Sequence, residues 1–184
     1  MVNPGPGILL IAEPFLKDPN FSRTVVFLCD HQDEGSFGFV INRVFGHTLN
    51  ELMNDLDELK LPVFYGGPVQ MDTIHFLHQY PDLIPGSYEV LDGIYWGGDF
   101  EQVKTLINSY SINENEIKFF LGYSGWSEGQ LEVELSEDAW IVAESYPVDL
   151  IFNLTDAELW RQLVIGLGKR YAHIVNFPED PSLN

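Results

Sequence analysis

One cysteine, Cys29, is all the chain has, so no intramolecular disulfide can form and nothing points to an oxidising compartment. It lies inside the apolar, strand-like run Thr24 to Asp30, where a small buried thiol is expected rather than a reactive one. Positive charge is scarce as well: nine lysines and arginines stand against 28 aspartates and glutamates, a formal net charge of −19. Only Lys169 and Arg170 are adjacent, so no basic stripe offers counterion release on DNA or RNA. Direct binding to nucleic acid or to an anionic membrane surface is disfavoured, and the acidity reads as a solubilising surface. No apolar run approaches the roughly 18 residues of a membrane-spanning helix, and the start Met1 to Gly7 lacks the charged and apolar regions of a signal peptide. A cytoplasmic protein is expected. Neither a Gly-Lys-Ser/Thr triplet nor a G-x-G-x-x-G after a strand occurs, which excludes nucleotide binding by those routes.

What is present is a core. Apolar residues make up 45% of the chain and aromatics 14%, spread from Ile8 to Phe177 without a polar linker or a repeat, so residues 1–184 read as one domain. Gly7 to Pro14, Thr24 to Asp30 and Phe37 to Arg43 have the composition of buried strands, and the short polar turn between the last two suits a hairpin. Further strands are expected at Val63 to Pro68, Thr73 to His78, Tyr88 to Trp96, Ile117 to Tyr123 and Trp140 to Ala143. Thr48 caps an expected helix whose apolar face is Leu49, Leu52, Met53, Leu56 and Leu59, and Asp99 precedes a second with Phe100, Val103, Leu106 and Ile107. Ser127 with Gln130, and Thr155 with Glu158, have capping-box spacing ahead of a short helix to Leu135 and of a longer one ending at Gly168. Strands in pairs and threes with only three to four helices do not alternate as in a doubly wound fold. The expectation is α+β, with a curved, mainly antiparallel or mixed sheet.

The chemistry-bearing patterns are thin. Gly122-Tyr-Ser124-Gly-Trp126 has the start of a G-x-S-x-G nucleophile elbow in an expected strand-turn-helix context, but Trp126 replaces the last glycine and His173 is the only later histidine. His75 and His78, three apart on a strand, point to opposite faces and do not share a metal. Asp30, Asp33 and Glu34 crowd one turn without the glycine and glutamate positions of a calcium loop. No metal site and no cofactor are expected. Gly66-Gly67-Pro68 and Gly97-Gly98-Asp99 can serve as plain turns or present backbone N–H groups to a ligand. Arg23 and the pair Asn42-Arg43 sit at strand ends, where an arginine more often pairs with a carboxylate than with a ligand.

Taken in order, Pro6 to Pro14, Phe21 to Val25, Gly38 to Arg43, Tyr65 to Val69, Gly122 to Trp126 and Gly129 to Glu132 resemble the YqgE/AlgH family over nearly the whole chain, Gly7 to about Gly168. The C-terminal Phe177 to Asn184 is similar to the variant in members from Bacteroidetes. The resemblance implies a compact domain with a curved, barrel-like sheet flanked by helices in a bacterial cytoplasm. It implies no catalytic residues, and a link to transcriptional control without a DNA-binding motif. Three readings follow. The first is a non-enzymatic binding or regulatory domain whose unknown protein partner or small ligand meets Arg23, Asn42, Arg43, Gly66, Gly67, Pro68, Tyr123, Ser124, Gly125 and Trp126. The same residues are equally readable as structural. The second is a hydrolase or transferase using Ser124 or Cys29, and the third is direct nucleic-acid binding.

Overall fold

Residues 25–40 form the expected hairpin: β2 (Val25–Gln32) pairs antiparallel with β3 (Gly35–Val40). β1 (Leu9–Ala12) lies on the other side of β2. The alternation along these strands sorts two buried faces: Leu9, Ile11, Val25, Phe27 and Cys29 enter one core, while Ile8, Leu10, Val26 and Leu28 enter another. Both faces being covered, the run reads as continuously apolar in sequence. The computed structural model describes residues 4–56, 59–153, 156–168 and 175; Thr155, Lys169, Arg170, His173 and the C-terminal 177–184 lie outside them.

The remaining strands are β4 (Val44–Thr48), β5 (Pro62–Tyr65), β6 (Val69–His78), β7 (Tyr88–Leu91), β8 (Ile94–Trp96), β9 (Ile117–Ser127) and β10 (Trp140–Ala143). Among the described residues they make one ten-stranded sheet in the order β10-β1-β2-β3-β9-β6-β8-β7, with β4 and β5 on a branch. β9 is the pivot. Its first half runs between β5, parallel at Phe119 to Leu121, and β6, antiparallel; its second half leaves β5 and pairs with β3 from Ser124 to Ser127. The change of neighbour occurs at Gly122, whose φ of 69° bends the strand in a way a side chain resists. The sheet is thus mixed, mainly antiparallel and not closed, since no pairing joins β10 to β7.

Five helices are present among the described residues: α1 (Leu49–Leu52), α2 (Phe100–Asn108), α3 (Gln130–Ser136), α4 (Leu150–Asn153) and α5 (Asp156–Gly166). α2 forms as its sequence dictates. Asp99 accepts the backbone N–H of Glu101 and Gln102 at 3.0 and 3.2 Å, Val103, Leu106 and Ile107 are buried against Phe76 and Phe119, and Tyr110 in the left-handed region ends it. Each of those aliphatic side chains contributes about 2 kcal/mol of burial.

Three expectations are corrected. The helix after Thr48 lasts one turn: Met53 is extended, and Asp55 is held against α2 by the Lys104 ammonium at 2.6 Å and by Asn108 Nδ2 donating to its backbone carbonyl. Tyr88 to Trp96 is not one strand but a hairpin, turned at Asp92-Gly93 where Gly93 has φ 80°. Ser127 does engage Gln130 Oε1, at 3.1 Å from both N and Oγ, yet Gly129 is the N-cap, because Ser127 still belongs to β9.

His78 at the end of β6 gives the fold a pH dependence. It is fully buried; Nδ1 accepts the Tyr80 N–H and Nε2–H donates to the Gly97 carbonyl, each at 3.0 Å, so the neutral ring uses both nitrogens. Desolvation lowers its pKa, opposed in part by the Gly97 bond. The unfolded chain, with an ordinary histidine near ~6.5, then binds the proton that the folded state refuses, so stability is complete above that pH and falls as pH drops toward the lowered folded value. His75, also lowered by desolvation, adds the same sign. Urea midpoints measured between pH 7.5 and 5 are expected to fall, and the fall to shrink in His78→Gln; a pH-independent midpoint contradicts this assignment.

Candidate functional site

A cavity of about 720 Å³ opens where β3, β6, β8 and β9 come together, a volume in the range of small-molecule sites. Phe37, His75, Trp96 and Tyr123 form its walls, and the exposed Gln32 and Glu34, with half-buried Asp30, line its outer part. Phe37 is the hinge of the aromatic cluster: its ring centroid lies 4.8 Å from that of Trp96 and 6.2 Å from that of Tyr123, both edge-on. His75 packs edge-on to Tyr123 at 5.8 Å, and Tyr88 stacks on Trp96 at 5.7 Å. Within the wall residues two ring nitrogens, Trp96 Nε1 and His75 Nε2, are buried out of reach of the cavity's open space and have no hydrogen-bond partner. A buried donor without an acceptor costs about 1–3 kcal/mol. Desolvation lowers the His75 pKa, so its ring is neutral near pH 7.

Two of the strand-end motifs, Gly66-Gly67 and Gly122 to Ser124, meet at one backbone node, while Arg23, Asn42 and Arg43 bond elsewhere. Gly66 N donates to Leu121 O, and the Gly66 carbonyl accepts both Val40 N at 2.8 Å and Ser124 Oγ at 3.0 Å. A Cβ on Gly66 would lie 2.2 Å from Gly122 O, and one on Gly67 2.2 Å from the Tyr123 carbonyl carbon. These glycines let three strands cross. Asn42 is buried, accepts Val25 N at 2.8 Å and donates to Arg23 O at 3.0 Å. Arg43 donates to the carbonyls of Asn20 and Ser22 with its guanidinium over the Tyr65 ring, and Arg23, itself at φ 52°, lies over Trp160. Of the ten residues singled out in the sequence, Tyr123, Gly125 and Trp126 line the cavity. Ser124 is fully buried inside β9 and not at a strand-to-helix turn, because β9 runs on to Ser127.

Comparison with known proteins settles the kinship. The AlgH-like family model, DUF179, matches residues 9–172. The chain belongs to the AlgH-like family. It is 44% identical over 179 residues to the UPF0301 protein of Chlorobaculum tepidum, covering 97% of this chain and 95% of that one. It is 40% identical to the UPF0301 protein of Cytophaga hutchinsonii, covering 97% and 98%. The solution structure of AlgH from Pseudomonas aeruginosa superposes with a TM-score of 0.73 at 30% identity, covering 97% of each chain. A crystal structure of a Corynebacterium diphtheriae protein shares the fold with a TM-score of 0.74 at 18% identity, covering 96% of this chain and 94% of that one.

This AlgH-like chain also holds features that no sequence motif announces. His31 and Ser36 are cross-strand partners in the β2–β3 hairpin; His31 Nδ1 lies 2.7 Å from Ser36 Oγ and Nε2 3.4 Å from Glu132 Oε1 on α3. The five-residue spacing across a hairpin turn was the available signal. Glu134 Oε2 accepts two indole N–H groups, from Trp126 at 2.8 Å and Trp140 at 2.7 Å, while its Oε1 accepts Gln130 Nε2. Cys29 is buried with its pKa pushed up by burial and then by the Asp30 charge, so the thiolate is suppressed. Among the described residues no group of three or more His, Cys, Asp or Glu is arranged to hold a metal, and no helix is long and apolar enough to cross a membrane.

Proposed function

We propose that the chain is a non-enzymatic binding or regulatory domain of the cytoplasm whose small ligand occupies the cavity between Phe37, His75, Trp96 and Tyr123. What supports this reading is a cavity of about 720 Å³ whose walls, Phe37, His75, Trp96 and Tyr123, are brought together from four strands. Any influence on transcription then runs through the ligand or a protein partner, since a net charge of −19 opposes contact with an operator.

A fragment library titrated into the ¹⁵N-labelled protein tests the reading, with the Trp96 indole resonance as reporter. Saturable shifts at Trp96 and at the Gly122–Trp126 amides are expected, and their loss in Trp96→Phe. Silence of those resonances across a diverse library sinks the reading. Acyl-transfer chemistry replaces it if a fluorophosphonate labels Ser36 and the labelling disappears in Ser36→Ala and in His31→Ala. In that outcome the Ser36 oxygen forms the bond to phosphorus, fluoride leaves, and the hydroxyl proton passes to His31 Nδ1.

A further inference from the structure

We propose that Asp92-Gly93, at the tip of the β7–β8 hairpin, is a site of covalent self-modification, where the main chain rearranges through a succinimide to an isoaspartyl linkage. The chemistry is local. The Gly93 nitrogen attacks the side-chain carboxyl carbon of Asp92, a C–N bond closes a five-membered imide, and the N–H proton and the carboxyl hydroxyl leave as one water. Water then adds back to an imide carbonyl. Opening at the former main-chain carbonyl breaks the original Asp92–Gly93 amide bond and leaves the chain running through Cβ and Cγ, with a free α-carboxylate and no net change in mass. Water is the sole co-reactant.

Three features of the hairpin permit the first step. The reaction needs a following residue without a side chain, and among the aspartates and asparagines of the chain only Asp92 precedes a glycine. A Cβ built on Gly93 would meet nothing within 4 Å, so the turn has room to swing. The attacking nitrogen must be unbonded. Leu91 and Ile94 pair on either side of the turn, and Gly93 N donates to no group among the described residues. The carboxyl group must be free as well. Asp92 is exposed and its carboxylate makes no hydrogen bond or ion pair among the described residues, whereas Asp99 caps α2, Asp55 holds Lys104, and Asp30 accepts His31 N and Gln32 Nε2.

Asn108 and Asp138, each followed by a small residue, are the instructive contrast. Ser109 N is bonded to the Thr105 carbonyl at 3.0 Å and Ala139 N to that of Glu134 at 2.9 Å, so neither nitrogen can attack without first breaking a bond. The fold shields these two and leaves Asp92 open. Rearrangement adds one main-chain atom to a turn of two residues, at the hairpin that carries Tyr88 and Trp96. The α-carboxylate it creates is the group that isoaspartyl carboxyl methyltransferases methylate, which defines the class of enzyme able to act on the product.

The full chain is aged at neutral pH and physiological temperature, then methylated by such an enzyme with labelled S-adenosylmethionine. Digestion with endoproteinase Asp-N, which does not cut before isoaspartate, and electron-transfer fragmentation locate the change. Methyl acceptance that rises with time is expected, with the Leu91–Asp92 bond becoming resistant and Asn108 and Asp138 unchanged. Asp92→Glu, which would need a six-membered ring, is expected to abolish it. Gly93→Asn tolerates the left-handed backbone while placing a side chain beside the attacking nitrogen, and is expected to slow it several-fold. Complete cleavage before Asp92 after ageing, while urea-unfolded chain aged in parallel becomes resistant there, shows that the hairpin protects the pair and overturns the proposal. Isoaspartate appearing first at Asn108 or Asp138, or an unchanged rate in Gly93→Asn, overturns it too.

Discussion

Gly66→Ala is expected to destabilise the fold by at least about 3 kcal/mol, the range of severe overpacking and backbone strain. The added methyl would sit 2.2 Å from the Gly122 carbonyl oxygen, 3.0 Å from Phe120 Cβ and 3.1 Å from Phe39 Cδ1. Backbone on one side and buried rings on the other leave no flexible atom to yield. Moving Gly66 away instead breaks its bonds to Leu121, Val40 and Ser124 together. For a chain of this length that loss lowers the melting temperature by roughly 6–12 °C. Gly93→Ala is the control: Gly93 has φ 80° but nothing within 4 Å of an added Cβ, so it is expected to lose only about 1 kcal/mol for the left-handed backbone. Equal melting temperatures for the two variants would show that the three-strand crossing tolerates a side chain.

Replacing Glu134 is expected to have the next largest effect. Trp126 and Trp140 are 6% and 5% exposed, and both indole N–H groups converge on one carboxylate oxygen. Their rings pack edge-on at 5.9 Å, with Phe21 against both. Glu134→Ala strands two buried donors, each worth about 1.5 kcal/mol or more when the acceptor is ionised, for a total near 3 kcal/mol in urea denaturation. Glu134→Gln keeps an acceptor oxygen without the charge and is expected to lose less than half as much. Upfield movement of both indole proton resonances in the alanine variant, and of neither in a distant surface variant, identifies the cause. A loss in Glu134→Ala below about 0.5 kcal/mol, the level of an ordinary surface substitution, contradicts the assignment.

Much of the architecture was legible. Runs such as Thr24 to Asp30 are apolar on both faces because both faces are buried, and Asp99 followed by a 3–4 apolar spacing can hardly be anything but a capped helix. The misreadings share one physical origin: local pattern competes with contacts from far along the chain. The apolar spacing after Thr48 promises three turns of helix, and Lys104 and Asn108 pull Asp55 out of it after one. Gly122 to Gly125 carries the first four letters of a nucleophile elbow, but a strand continuing to Ser127 buries Ser124 against Gly66. The cavity was illegible for the same reason. Phe37, His75, Trp96 and Tyr123 come from four strands, and nothing near any one of them in the chain announces the others. Glu134 gave no signal at all, since a carboxylate one turn into an acidic helix looks like solvated surface until two tryptophans arrive at it.

The pivot strand β9 also dictates how the chain must be made. β3, β5 and β6 all take β9 as a neighbour, yet its residues 117–127 come after theirs, and β1 waits longer still for β10 at 140–143. A polypeptide leaving the ribosome at roughly 5–20 residues per second can close the β2–β3 hairpin early, but several seconds pass before the strands emerging between Pro62 and His78 receive theirs. During that interval the apolar edges later capped by Phe119 and Phe120 face solvent or whatever lies nearby. Nascent chains arrested with β9 still inside the ribosome should therefore be protease-sensitive and chaperone-bound, and those arrested with both β9 and β10 clear of it should have a locked sheet.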